Sequence, residues 1–207
     1  MNRALFIVKV CGITNEADAR VAIDSGANAL GFNFYKKSPR YITPQRARQI
    51  AAALPAGCLK VGIFVNASEP ELLDAAAQAR LDVLQLHGDG CALPLSAPAR
   101  IWRAIAATHA PPPENTAIDA YLLDAPSPQH GGSGQTFDWT LAARFPHPVI
   151  IAGGLDASNV AAAIRIASPR GVDACSRLES SPGNKDPHRV REFVRAALLA
   201  AQQEITS

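Results

Sequence analysis

The chain has 207 residues, 48% of them hydrophobic and 18% charged, with a formal net charge of +2, the balance of an ordinary globular protein long enough to bury a sizeable core. So small a charge, with no basic run beyond Lys36-Lys37, excludes the clustered cationic footprint of a nucleic-acid binder. No apolar run approaches a membrane span, and Lys9 interrupts the apolar N-terminal stretch where a secretion signal needs an unbroken one, so the expectation is one cytoplasmic domain over residues 1–207.

Along the chain, short apolar, β-rich runs alternate with segments of helical period, the pattern of βα units on a parallel sheet. Eight strands are expected, over roughly Ile7–Cys11, Ala29–Phe34, Lys60–Val65, Val83–His87, Ile101–Ala106, Tyr121–Asp124, Val149–Ala152 and Gly171–Cys175. Their near-continuous hydrophobicity is that of strands covered on both faces. Helix starts carry caps: "TPQRARQIAAAL" has Thr43 ahead of Pro44, and "SEPE" is a capping box from Ser68 to Glu71. The first, second, third, seventh and eighth helices are expected on this basis. The fourth and fifth crossovers, "GDGCALPLSAPA" and "THAPPPENTAID", are expected to be degenerate, since three consecutive prolines cannot lie within a regular helix.

Eight such units either close into a barrel or lie open as a doubly wound sheet. An open sheet has edge strands, which are usually shorter, more polar or charge-protected, and here the first and last strands are as apolar as the middle ones. A single-domain (β/α)8 barrel, near the lower size limit of that fold, is therefore the expected architecture.

In such barrels the chemistry sits where strands end and the following loops begin. That rule selects Cys11 after strand one, although by type a cysteine is a small buried hydrophobe, and Asp124 after strand six, although by type an aspartate there is a loop former or cap. No helix follows Asp124 directly, and Gly131–Gly134, "GGSG", could fold over a site. Gly153 and Gly154 follow strand seven, and Ser176 and Arg177 follow strand eight, where barrels commonly bind phosphate through backbone N–H groups. The alternative is that the two glycines only make a tight turn. Arg40, between Pro39 and Tyr41, suits a carboxylate through its planar fork. Gln85 and His87 share a face of strand four, and His87 reads equally as a satisfied interior histidine.

Lys9 shares the inward face of Cys11, and a buried lysine needs a partner. In a closed barrel strand eight neighbours strand one, so Asp173 is expected to pair with Lys9, leaving Cys11 to be tuned by substrate phosphate, solvent access and local dipoles. Cys11, Cys58, Cys91 and Cys175 are widely spaced, with no C-x-x-C pair or histidine at ligand spacing, so free thiols are expected and neither a metal site nor a disulfide framework. Trp102, Phe137 and Trp139 read as packing residues.

The segments "KVCGIT", "GFNFYKKSPRYI", "VGIFVN", "LQLHG", "LLDAPSPQHGGSGQTFDW", "AGGL" and "VDACSRLESSPGNKD" resemble, in order and spacing, the phosphoribosylanthranilate isomerase family of tryptophan biosynthesis. The resemblance implies a cofactor-free (β/α)8 enzyme acting on a small phosphorylated substrate, as a monomer or homodimer, by Amadori rearrangement of N-(5′-phosphoribosyl)anthranilate to 1-(2-carboxyphenylamino)-1-deoxyribulose 5-phosphate. It further implies Cys11 as general base, Asp124 as general acid, Arg40 at the anthranilate end, and the backbone around Gly153-Gly154 and Ser176 on the phosphate. The chain departs from the commonest family pattern in one place. Cys175-Ser176-Arg177 stands where Ser-Ser-Gly precedes Val-Glu, which implies either a strained arginine or a guanidinium beside the phosphate. The competing readings are another phosphate-binding barrel isomerase or epimerase, whose metal-dependent forms need inward His and Asp ligands, and a catalytically silent metabolite-binding barrel.

Overall fold

The computed structural model describes residues 6–94, 96–107, 111–113, 115–125 and 135–206. Its apolar runs form strands β1 (Ile7–Val10), β2 (Ala29–Asn33), β3 (Leu59–Val65), β4 (Val83–His87), β5 (Arg100–Ala106), β6 (Ala120–Asp124), β7 (Val149–Ile151) and β8 (Gly171–Ala174). All pair in parallel with their sequence neighbours, and β8 pairs with β1, so the sheet closes into an eight-stranded barrel.

Boundaries differ from the expected ones by a residue. Cys11, Phe34 and Ala152 still donate their N–H groups to the neighbouring strand, to the carbonyls of Ala174, Ile63 and Leu123 at 2.8–3.0 Å. The ladder nevertheless ends one residue earlier.

The helices begin where their caps lie. Asn15 accepts from the Asp18 N–H ahead of α1 (Glu16–Asp24), and Thr43 accepts from the Arg46 N–H ahead of α2 (Pro44–Ala51). Glu71 reaches back to the Ser68 N–H at 2.9 Å to open α3 (Glu69–Ala79), each cap satisfying a donor that the first turn leaves unpaired. Then come α4 (Thr140–Ala143), a single turn, α5 (Val160–Ala167) and α6 (Pro187–Thr206). Among the described residues no helix lies between β4 and β5 or between β5 and β6, as the prolines require. No described helix is long and apolar enough to cross a membrane.

Two hydrophobic clusters follow from the period of two along each strand. Outward residues such as Val8, Leu30, Phe32 and Leu84 pack beneath the helices. Inward residues Ile7, Val61, Val83, Trp102, Leu122 and Ile150 fill the barrel. Phe137 and Trp139 lie half-buried against the outer cluster. After β8 the chain makes a 3₁₀ turn at Ser176–Leu178 and then a small hairpin, β9 (Glu179–Ser181) and β10 (Asn184–Lys185). Pro182 and Gly183 turn this hairpin, with Gly183 at φ +84°, a left-handed conformation natural to glycine.

Candidate active site

Inside the barrel the inward positions change from apolar to polar toward the C-terminal ends of the strands. Lys9 on β1 and Asp173 on β8 are register partners, and their side chains meet at 2.8 Å, with Lys9 wholly buried. Burial disfavours the lysine charge, but Asp173 and the Cys11 thiol outweigh it and hold the Lys9 pKa above its ordinary value. The expected pairing is thus present.

Above this pair opens a cavity of about 580 Å³. Cys11, Arg40, Gln85, His87, Asp124, Gly153, Gly154, Ser176 and Arg177, the residues singled out from sequence, all line it. The expected loop Gly131–Gly134 lies outside the described residues. Among the described residues no group of three or more His, Cys, Asp or Glu side chains is placed to hold a metal ion.

Asp124 is half-buried at the end of β6, and its Oδ1 meets no hydrogen-bond partner among the described residues. Burial, and then the charge of Asp173, push its carboxyl up to about 6, against the opposing effects of the Ala125 N–H and Lys9. Gly153 makes the close approach possible. At φ +82° it adopts a backbone that side chains disfavour, and a Cβ there would stand 2.5 Å from Asp124 Oδ1. Gly154 also has positive φ, +58°, so the two glycines do form a turn, and the turn borders the cavity.

Gln85 Nε2 and His87 Nε2 lie 2.8 Å apart on the inner face of β4, both buried. His87 is therefore an interior histidine with a partner, and it also lines the cavity. Arg40 holds Glu179 through two bonds, Nε to Oε1 at 2.8 Å and Nη2 to Oε2 at 2.7 Å. The fork expected to grip a carboxylate thus grips one from the protein itself. Lys185, whose side chain is fully buried, donates to the same Glu179 Oε1 at 2.9 Å. Burial opposes the Glu179 charge, yet Arg40 and Lys185 keep its carboxyl below the ordinary range.

Arg177 lies in the 3₁₀ turn and is not among the residues with left-handed φ, so the strain open to an arginine at this position is absent. Its Nη1 bonds Asp156 Oδ2 at 2.7 Å, linking the loops after β7 and β8.

Sequence reasoning passed over Cys175. Its thiol neighbours Cys11 across the β1–β8 seam and lies 3.7 Å from Lys185 Nζ and 3.9 Å from Glu179 Oε1. The hydrogen bond from Cys11 pulls Cys175 down to about 7, opposed by burial and assisted by Lys185 and Arg40. The same hydrogen bond, together with burial, pushes Cys11 well above the ordinary thiol value despite Lys9. The signal was available, since "KVC" and "DAC" end adjacent strands of a closed barrel.

Residues 8–196 match the family model described as N-(5′-phosphoribosyl)anthranilate (PRA) isomerase. A protein of Solibacter usitatus named N-(5′-phosphoribosyl)anthranilate isomerase is 49% identical over 199 residues, covering 94% of this chain and 98% of that protein. Among solved structures, a phosphoribosyl anthranilate isomerase in complex with reduced 1-(o-carboxyphenylamino)-1-deoxyribulose 5-phosphate superposes with a TM-score of 0.75 at 32% identity, covering 94% of this chain and 99% of that one. A monomeric form generated from the dimeric enzyme of Thermotoga maritima has a TM-score of 0.76 at 34% identity, with the same coverage.

Proposed function

The chain belongs to the N-(5′-phosphoribosyl)anthranilate isomerase family, and on that premise we propose that it catalyses the Amadori rearrangement of N-(5′-phosphoribosyl)anthranilate to 1-(2-carboxyphenylamino)-1-deoxyribulose 5-phosphate in tryptophan biosynthesis. It acts as one cytoplasmic (β/α)8 domain over residues 1–207, monomeric or homodimeric, by general acid–base catalysis. The observation that carries this reading is that Asp124, a carboxyl held near 6, and Cys11, a thiol two residues after Lys9, face the same cavity from the ends of β6 and β1.

Protonated Asp124 delivers its proton to the ribose ring oxygen, the C1′–O bond breaks, and a protonated Schiff base forms. Cys11 as thiolate then removes the proton at C2′, giving an enolamine. Its tautomerisation to the ketone adds a proton at C1′ and releases one from the 2′ hydroxyl. One proton lost by Cys11 and one regained by Asp124 restore the resting site. Backbone N–H groups around Gly153, Gly154 and Ser176 take the phosphate, the kind of site that loops after the last two barrel strands provide. Arg40, Gln85 and His87 line the same cavity and take the anthranilate end.

The test is the decay of anthranilate-type fluorescence when freshly made phosphoribosylanthranilate meets the purified protein. Turnover by the wild type, with kcat for Cys11→Ala lower by about a hundredfold to ten-thousandfold, is expected. A variant within tenfold of wild type would remove Cys11 from the mechanism.

A further inference from the structure

Arg40 comes to the cavity from the loop after β2, but the group that grips it belongs to the hairpin after β8. Glu179 takes two of the five guanidinium N–H groups, those on the edge that Nε and Nη2 share. The end edge, Nη1 with the second N–H of Nη2, is a further parallel pair of donors of the kind that fits a carboxylate. Arg40 can therefore hold Glu179 on one edge and a ligand carboxylate on the other. Among the described residues the cavity is lined by Arg40 and not by Glu179 or Lys185.

Glu179 is itself fixed. Its Oε1 accepts from Lys185 Nζ at 2.9 Å and from the Gly183 N–H at 3.2 Å, besides Arg40 Nε, and its carbonyl accepts from Arg189 Nη1 at 2.7 Å. Lys185 also donates from Nζ to Cys175 O at 3.2 Å, and its backbone N–H binds Asp18 Oδ2 on α1 at 2.8 Å. Lys185 shares the carboxylate with Arg40, so the arginine charge is less fully compensated than in a simple pair. Three loops meet around this network. Thr14 Oγ1, after β1, donates to Gly183 O at 2.6 Å, and a Cβ on Gly183 would stand 3.3 Å from Pro39 O. The stem of Arg40 passes where Gly12 leaves room, since a Cβ there would stand 2.7 Å from Arg40 Cδ.

We propose, building on the reading of Arg40 as a group that takes the anthranilate end, that the β9–β10 hairpin sets specificity for the ring carboxylate of the substrate. Glu179, held in place by Lys185, fixes the Nε–Nη2 edge of Arg40 and leaves the end edge to receive that carboxylate. Glu179 and Lys185 act through Arg40 and are positioning residues for it. A mobile arginine loses rotamer freedom when it binds a ligand, whereas one already fixed by the fold has lost it beforehand, so the contact contributes more fully to affinity.

Two probes test this by calorimetric titration: reduced 1-(2-carboxyphenylamino)-1-deoxyribulose 5-phosphate and its phenylamino counterpart without the carboxylate. Wild type is expected to bind the first more tightly by about tenfold or more, the scale of a charge-assisted contact. The double variant Glu179→Gln with Lys185→Met removes both buried charges together, leaving neither unpaired. Its preference is expected to fall below about threefold, with the loss in turnover appearing in KM rather than in kcat. Added to Arg40→Met, the two substitutions should weaken binding of the carboxylated probe no further, because they act through that side chain. Should the double variant not fold, Glu179→Gln alone keeps the shape, gives up one of the two bonds to Arg40 and carries the same comparison. A preference that survives in the variant, a loss of kcat at unchanged KM, or a further loss on top of Arg40→Met would each overturn the proposal. A wild type that turns over phosphoribosylanthranilate but binds both probes equally would overturn it and leave the isomerase reading standing. A wild type without that turnover would sink the isomerase reading and this proposal with it.

Discussion

Lys9 Nζ lies 2.8 Å from Asp173 Oδ2 at the seam where the first strand of the barrel meets the last, and 164 residues separate the two in sequence. Asp173 Oδ1 has no hydrogen-bond partner among the described residues, so Lys9 is what compensates this buried carboxylate. Lys9→Met is expected to destabilise the protein by about 3–5 kcal/mol, because it leaves the charge buried and unpaired. Adding Asp173→Leu should recover most of the loss. Urea unfolding with an unchanged m value measures both, and a double variant no more stable than the single one would contradict the pairing argument.

Asp124→Asn should collapse turnover while binding of a product analogue stays within about tenfold, since the transferable proton and not the shape is lost. The same variant tests the raised carboxyl. In the folded protein Asp124 titrates near 6, above its ordinary value, so the folded state holds this proton more tightly than the unfolded chain. That contribution to stability is fully present at low pH and is lost as pH rises through about 6. Asp124→Asn is accordingly expected to exceed wild type in stability by about 1–3 kcal/mol above pH 6, with the difference disappearing below about pH 4. Parallel stability–pH curves would refute the shift.

Gly57 and Gly153 separate backbone strain from contact. Both have left-handed φ, +93° and +82°, but a Cβ on Gly57 meets nothing within 4 Å, whereas one on Gly153 meets Asp124 Oδ1 at 2.5 Å and Ala125 N at 2.8 Å. Gly57→Ala should cost about 1 kcal/mol and leave turnover alone. Gly153→Ala should cost more and lower kcat by displacing the acid. Equal effects of the two substitutions would mean that the loop after β7 yields without moving Asp124.

Arg177→Gly should change stability by less than about 1 kcal/mol, because the Arg177–Asp156 pair is partly exposed. Its expected effect is on substrate: KM rises about three- to thirtyfold at low salt, with kcat little changed, and added salt narrows the gap. Equal KM values at low salt would show that the guanidinium serves only to join the two loops.

What sequence made legible was what depends on near neighbours. The strands are continuous apolar runs, Thr43 and Ser68 mark the turns they cap, and the prolines of the fifth crossover forbid a helix there, so these features emerge within a residue of expectation. The Lys9–Asp173 pair was legible too, because closure dictates which strand lies beside the first. The 3₁₀ turn and the hairpin after β8 were not, since their short segments carry no period. With the hairpin went Glu179 and Lys185, whose partners Arg40 and Cys175 are set by how the loops fold over the mouth. Cys175 was weighed as one of four dispersed thiols, although the closure that sets Asp173 beside Lys9 also sets it beside Cys11.

The β1–β8 seam also orders the assembly of the molecule. Bringing its two strands together closes a loop of about 160 residues, with a length-dependent entropy cost of about 4–5 kcal/mol, so adjacent βα units gain their local contacts first and the seam forms late. During synthesis the first strand emerges long before its second neighbour exists, and Lys9 spends that interval without the aspartate that makes its burial tolerable. Barrel closure then supplies, in one step, a counterion for Lys9 and a second sulfur for Cys11. A chain that stops short of β8 is thus denied both its closed sheet and the counterion of Lys9.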